Sequence, residues 1–191
     1  MYNYKTVFYT LGTLQIILGI FMLVPIIIQL IYNELDSGFV SASLITIIFG
    51  VLFYLSNLDH NRSIDLPQAF ILTALSWLSI AIFGSLPFIF SELDLDFTDA
   101  FFESMSGITT TGSTILTDLD TAPKAILLWR AILQWLGGIG IILMAITLMP
   151  IMNIGGMQLF LVSSNDSPEK ILPKSKQISL RLITIYIALT L

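Results

Sequence analysis

Four long apolar stretches constrain this chain more than any other feature of its sequence. They cover residues 7–31, 39–58, 69–90 and 125–149. Each is long enough for a helix to cross the hydrocarbon of a bilayer, roughly 30 Å thick, which takes about 20 residues. Lipid offers backbone groups no hydrogen-bond partners, so such stretches have to be helical. The sequence therefore predicts an all-α integral membrane protein.

The composition supports this class and excludes several others. Hydrophobic residues make up 55% of the 191 residues and charged residues only 11%, whereas soluble domains are about one-quarter charged. Cysteine is absent, which excludes disulfides, thiolate metal sites and a cysteine nucleophile. On a soluble surface the net charge of −5 would argue against nucleic-acid binding, but in this chain the placement of the charges matters more. No nucleic-acid partner is expected. Only one histidine is present, and without convergent catalytic groups we expect neither an enzyme nor a bound cofactor.

The end of the chain carries a fifth apolar stretch. Residues 178–191 are apolar, but about 14 residues are fewer than a spanning helix needs. We interpret this stretch as the start of a truncated next span, preceded by a cytoplasmic loop at 161–177. A short re-entrant tail is the alternative.

The basic residues predict the orientation of the chain. Cytoplasmic loops of membrane proteins retain an excess of lysine and arginine. If the four spans alternate, most basic residues fall on one side: Lys5, Arg62, Lys170, Lys174, Lys176 and Arg181. The N-terminus is therefore predicted to be cytoplasmic. The acidic stretches 92–99 and 118–120 fall on the opposite side, where they either concentrate cations or form an ordinary solvated surface.

Residues 97–120 do not fit a plain helix bundle, because they are too polar for a span and too apolar for an ordinary outer loop. With Thr98 as N-cap, a short helix of about ten residues ending at Gly107 is predicted. The run that follows, 108–113, contains a glycine that permits unusual backbone angles. A re-entrant helix and loop is one interpretation, and a polar extracellular cap over the bundle is the other.

The re-entrant interpretation predicts a cation site. Irregular backbone at membrane depth is tolerated where it is buried in protein or lines water. Potassium selectivity filters use backbone carbonyls in place of the ion's hydration shell, and the C-terminal end of the preceding helix carries partial negative charge. Residues 109–113 have a suitable length and flexibility for one such filter strand.

Three strings carry a family resemblance: FFESMSGITTTGSTIL, LLWRAILQWLGGIGIILMAITLMPIMNIGGMQLF and SLPFIFSE. They resemble the first pore repeat of Trk-system potassium uptake proteins (TrkH/TrkG type) in the Trk/Ktr/HKT superfamily. The resemblance implies an N-terminal two-helix membrane hairpin at 1–66 and the first pore repeat at 67–160. That repeat comprises a span at 67–90, a pore helix with filter at 97–114 and a span at 123–150. The three other pore repeats are absent from this sequence.

The same resemblance implies a function. It is potassium uptake, with this chain contributing one of four pseudo-repeats to an ion-selective pore and K⁺ as the only metal ion. The filter backbone is then Thr110, Thr111 and Gly112, with Thr109 and Ser113 flanking it. The alternative is a non-functional or structural fragment of a split transporter gene that needs the missing repeats.

The resemblance also implies location and partners. The protein is expected in the bacterial cell inner membrane, as a multi-pass protein surrounded by lipid. The full-length form is expected to be a homodimer that works with a cytoplasmic nucleotide-binding regulatory subunit.

Two further sets of residues are candidates for a role at the pore. Arg130 lies inside the fourth span, where a lone guanidinium is costly, and Glu103 on the pore helix is its candidate partner in support of the filter. Snorkelling of Arg130 to the interface is the alternative. Gly137, Gly138 and Gly140 permit either a gating hinge or close helix packing.

Overall fold

The computed structural model describes residues 4–34, 36–58, 66–117, 119–152 and 171–190. The described residues are helical apart from turns and connecting segments. The helices are α1 Lys5–Phe21, α2 Leu23–Tyr32, α3 Gly38–Ser56, α4 Leu66–Gly84, α5 Leu86–Ile89, α6 Phe97–Ile108, α7 Lys124–Met152 and α8 Ile171–Thr190. The chain divides into two compact units, Met1–Gly137 and Gly138–Leu191.

Four stretches of helix are long and apolar enough to cross a membrane. They are Lys5–Tyr32, Gly38–Ser56, Pro67–Ile89 and Lys124–Met144. Large apolar side chains on their outer faces are exposed, among them Ile27, Leu44 and Ile48. Lipid is the solvent that suits such surfaces. The prediction of an all-α membrane protein with four spans is confirmed.

Two of these spans are interrupted by a proline. α1 ends at Phe21, four residues before Pro25, and α4 ends at Gly84, three residues before Pro87. Proline has no N–H, and its ring clashes with the carbonyl four residues earlier. In the second break, the Phe88 N–H donates to the Ser85 carbonyl. The helix therefore restarts as α5 with a changed hydrogen-bond pattern.

α1 and α3 form a hairpin whose backbones approach closely at glycines. A Cβ on Gly12 would lie 2.5 Å from the Tyr54 nitrogen and 2.7 Å from the Gly50 carbonyl oxygen. The Ser43 hydroxyl also donates to the Gly19 carbonyl, at 2.8 Å. In lipid, helices associate through such small-residue packing and interhelical hydrogen bonds.

The hairpin packs directly against the helices that follow it. The Gln15 carboxamide donates to the Ser79 hydroxyl on α4 at 2.5 Å. Phe39 on α3 meets Trp129 on α7 edge-to-face, with ring centroids 6.3 Å apart. Phe39 and Trp129 are fully buried and belong to one apolar core together with Phe88 on α5. The hairpin thus packs against the helices that carry the candidate site and supports them.

Part of the segment predicted as a loop, residues 161–177, is helical in the structure. Residues 161–170 lie outside the described ones, but α8 begins at Ile171, so 171–177 are helical. The straight-chain residues Lys174 and Lys176 favour helix, and Pro173 is tolerated because it lies in the first turn. The helix therefore begins before the apolar run. Hydropathy indicates which residues lie in the membrane, but it does not show where a helix begins or ends.

Candidate functional site: a short helix and an acceptor-rich loop

The site begins with the short helix α6. The side chain of its N-cap, Asp96, accepts a hydrogen bond from the Asp99 N–H at 2.8 Å. Thr98, the N-cap predicted from sequence, lies in the first turn. The 12 residues of α6 span about 18 Å, too little to cross a bilayer. The partial negative charge of its C-terminus lies next to the loop at 109–113.

The loop after α6 turns through two left-handed residues. Thr110 has φ +58° and Gly112 has φ +78°. The Thr110 N–H donates to the Gly107 carbonyl at 2.9 Å. The N–H groups of Thr111 and Gly112 both donate to the Ser106 carbonyl, at 3.0 and 3.3 Å. The N–H groups of residues 110–112 are therefore all paired with the last turn of the helix.

The acceptors of the same loop are left free. Among the residues that the structure describes, nothing donates to the backbone carbonyls of residues 109–112. The Ser113 carbonyl accepts from the Ser106 hydroxyl at 2.6 Å. The hydroxyls of Thr109 and Thr111 lie 2.8 Å apart. Residues 110–113 are exposed, so the loop presents carbonyl oxygens without matching donors, which is the chemistry of a cation ligand.

A buried carboxylate ties the far end of this loop to α6. The side chain of Glu103 is 0% exposed. Its Oε1 accepts from the Thr114 hydroxyl and from the Ile115 N–H, each at 2.6 Å. Bonds to a charged acceptor are about twice as strong as neutral ones, so Glu103 fixes where the loop leaves the helix.

The other oxygen of Glu103 faces α7. Arg130 Nε lies 2.8 Å from Glu103 Oε2, and the Arg130 side chain is 14% exposed. Oε2 forms no hydrogen bond, so the contact is an ion pair without hydrogen-bond alignment. The structure thus brings together the two residues paired from sequence, on facing helices. The carboxylate reaches both the loop and the next span.

α7 passes very close to the end of α6. A Cβ on Gly137 would lie 1.9 Å from the Ile108 carbonyl oxygen. A Cβ on Gly107 would lie 3.0 Å from that of Leu133. Because the Ile108 group is backbone, it cannot move aside as a flexible side chain does. Gly137 therefore lets α7 support the start of the loop.

The other two glycines of the hinge prediction have different surroundings. In the second unit, a Cβ on Gly138 would lie 2.7 Å from the Tyr186 hydroxyl, and a Cβ on Gly140 would meet nothing within 4 Å. α7 is continuous through both residues. The hinge role of these glycines stays a prediction.

Changing Gly137 to alanine is expected to destabilise the protein by at least about 1–3 kcal/mol, because two backbones have to separate. The measurement is the thermal unfolding midpoint of the purified protein in detergent. Gly140→Ala is the matched control. This position has room for the methyl group, and alanine in place of glycine stabilises a helix by about 0.5–1 kcal/mol. Equal midpoints for the two variants would contradict close packing, and loss of transport without loss of stability would favour a hinge.

Two residues at the site were not singled out from sequence. The Trp129 indole N–H donates to the Gly84 carbonyl at 2.9 Å, an acceptor freed by the break before α5. Gln134 Nε2 lies 3.6 Å from the Cβ position of Gly112. Sequence gives no signal for either contact, although α7 spacing places Trp129 next to Arg130 and Gln134 one turn beyond it.

Comparison with known proteins shows the family to which this chain belongs. The model of the family described as TrkH, cation transport protein, matches residues 36–191. This chain belongs to that family. It is a family of transporters, and membership fits the four spans and the helix-and-loop segment between the third and fourth of them.

Individual relatives agree with the family model. The chain is 39% identical to the Trk system potassium uptake protein TrkI of Halomonas elongata, over 95% of the chain and 37% of that protein. It is 35% identical to the Trk system potassium uptake protein TrkH of Escherichia coli K12, over 98% of the chain and 40% of that protein.

A solved structure matches as well. The crystal structure of the potassium transporter TrkH from Vibrio parahaemolyticus superposes with a TM-score of 0.83 at 32% identity, covering 99% of this chain and 38% of that one. This TrkH-family chain therefore spans about two-fifths of the length of the relatives it matches.

Proposed function

We propose that this chain contributes the first of four pseudo-repeats to a potassium-uptake pore, with residues 109–113 as one filter strand. Thr110, Thr111 and Gly112 provide the coordinating backbone, and Thr109 and Ser113 flank it. The observation that carries the proposal is the loop in which the backbone N–H groups of residues 109–112 are all paired while the carbonyls of the same residues are free. Replacing a hydration shell requires oxygen acceptors of this kind.

The cation chemistry of the proposal is K⁺ carried through the pore, without a covalent step. The names of the relatives describe potassium uptake, which supports K⁺ over other cations. Glu103 and Arg130 hold the loop between α6 and α7, and Gly137 lets α7 approach it. The hairpin at 1–66 backs the pore repeat at 67–160.

The location, orientation and partners of the proposed pore are inferred from the distribution of basic residues and from the family resemblance. We place the protein in the bacterial inner membrane with a cytoplasmic N-terminus, since most of the basic residues then face the cytoplasm. The partners in this proposal are the remaining pore repeats, a second copy of the full-length protein and a cytoplasmic nucleotide-binding regulatory subunit.

The test is potassium-limited growth of a bacterial strain that lacks its own potassium uptake systems. The strain expresses either the 191-residue chain or the same chain extended by the sequence that follows it in the gene. We expect only the extended form to restore growth, because one filter strand leaves the ion incompletely coordinated.

Either other outcome changes the proposal. Rescue by the chain alone means that copies of it assemble a complete pore. Failure of both forms, with expression in the membrane confirmed by immunoblot, contradicts potassium uptake and leaves the alternative of a structural fragment.

A further inference from the structure

Ser106, in the last turn of α6, holds the loop at 109–113 through both its backbone and its side chain. Its carbonyl accepts from the N–H groups of Thr111 and Gly112, at 3.0 and 3.3 Å. Its hydroxyl donates to the Ser113 carbonyl at 2.6 Å. Ser106 is 6% exposed, so little water reaches this hydroxyl to compete for it. Ser106 therefore fixes both the middle and the end of the loop.

The Ser113 carbonyl differs from the four carbonyls before it. Within the described part of the chain, the carbonyls of residues 109–112 accept no hydrogen bond, whereas Ser113 accepts one from Ser106. At 2.6 Å the bond is at the short end of the range for O–H···O hydrogen bonds. The hydroxyl hydrogen offsets part of the negative charge on the oxygen, and the bond directs this oxygen towards α6. The Ser113 carbonyl is therefore a poorer cation ligand than its neighbours.

The contact is particular to position 106. A serine or threonine hydroxyl in a helix commonly donates to the carbonyl three or four positions earlier, as Thr109 does to Met105 at 2.8 Å. Ser106 donates instead to a residue seven positions later. Ser104 on the same helix is 0% exposed, and its hydroxyl has no hydrogen-bond partner among the described residues. Burial on α6 therefore does not by itself produce a bond to the loop.

The place where the filter strand ends matters for selectivity. Potassium filters distinguish K⁺ from Na⁺ by the size of the carbonyl cage or by the number and field strength of its carbonyls. Both properties depend on which carbonyls reach the ion. A loop end that is free to move can contract around the smaller Na⁺, whereas an end tied to a helix cannot.

We infer that Ser106 is a positioning residue that sets the C-terminal end of the filter strand. Its hydroxyl holds the Ser113 carbonyl against α6, so the strand offers the ion the carbonyls of residues 109–112 and no fifth one. The inference rests on the proposed function and adds to it which oxygen the ion does not meet. Fixing this end keeps the free carbonyls at the spacing that K⁺ requires.

The first test locates the ion without relying on transport. Rb⁺ replaces K⁺ in crystals of the full-length protein, and its anomalous scattering shows its position. We expect Rb⁺ beside the carbonyls of residues 109–112, with the Ser113 carbonyl still bonded to Ser106. In Ser106→Ala, we expect the Ser113 carbonyl to turn towards the ion.

Three results of this test count against the inference. Rb⁺ bound by the Ser113 carbonyl in the wild-type protein overturns it, and this result does not depend on the folding of a variant. An unchanged Ser113 carbonyl in Ser106→Ala overturns it as well. A wild-type loop that binds no Rb⁺ contradicts the proposed function itself, and the inference falls with it.

Competition between Rb⁺ and Na⁺ in uptake provides the second test. Ser106→Ala is expected to lower the preference for Rb⁺ about fivefold, the size of the effect of one hydrogen bond. Ser104→Ala is the matched control and is expected to keep the wild-type preference, because it removes a buried hydroxyl that has no partner. Equal preferences in the two variants overturn the inference. A lower unfolding midpoint of Ser106→Ala with an unchanged preference also overturns it, because that result shows a purely structural role.

Discussion

Replacing Glu103 with glutamine is expected to reduce Rb⁺ uptake by the full-length protein at least tenfold. Glutamine keeps an oxygen for the Thr114 hydroxyl and the Ile115 N–H, so the shape of the loop exit is retained. It removes the charge that faces Arg130. Breaking one side of a buried ion pair costs about 3–5 kcal/mol, because the remaining charge is uncompensated.

The physical cause can be separated from simple misfolding by removing the second charge. In the double variant Glu103→Gln, Arg130→Met, no buried charge remains unpaired, and paired ions are often replaced by neutral groups at little cost. We expect its unfolding midpoint to exceed that of Glu103→Gln alone. If the double variant is no more stable than the single one, the ion pair is not what supports the loop.

A charge swap is not expected to rescue either single variant. Arginine at position 103 has only donors, so the Ile115 N–H and the Thr114 hydroxyl would lose their acceptor. The carboxylate is required by the loop as much as by Arg130, and this requirement is visible only in the structure.

Changing Gly112 to alanine is expected to lower the preference for K⁺ over Na⁺ about tenfold while leaving the protein folded. The added Cβ has room, since its nearest neighbour is Gln134 Nε2 at 3.6 Å. The cost comes from φ +78°, where a side chain destabilises the backbone by about 1–2 kcal/mol. The loop relaxes to avoid this strain and its carbonyls turn away from the ion. Competition between Rb⁺ and Na⁺ in the uptake assay measures the preference.

The control is Thr111→Val, which removes a hydroxyl but keeps the carbonyl and the branched shape. The Thr111 hydroxyl meets the Thr109 hydroxyl, so its loss is expected to change the preference less than Gly112→Ala does. If valine at 111 has the larger effect, side-chain hydroxyls bind the ion and the backbone proposal is wrong.

The site was partly predictable from the sequence. The loop at 109–113 stood out because a polar, glycine-containing run interrupts apolar spans, and Arg130 stood out because a charge in a span needs a partner. The start of α6 was misplaced by two residues: Thr98 and Asp96 are both good caps, and only the backbone geometry shows that Asp96 accepts the hydrogen bond.

Other contacts join residues that are far apart in the sequence, so no local sequence pattern predicts them. Glu34 caps α7 across about 90 positions of sequence. Trp129 reaches a carbonyl that becomes available only because Pro87 breaks α4.

The sequence by itself determined that this protein lies in a lipid bilayer, that it has four membrane spans, and where the helix-and-loop segment is located. Those features follow from hydropathy and length, which add up along the chain without reference to the fold. Only the tertiary structure decided which acceptors stay free in the loop, that Glu103 serves both the loop and Arg130, and that Gly137 meets the Ile108 carbonyl. These depend on directional contacts between elements, because hydrogen bonds and close packing require atoms at defined distances that hydropathy does not encode.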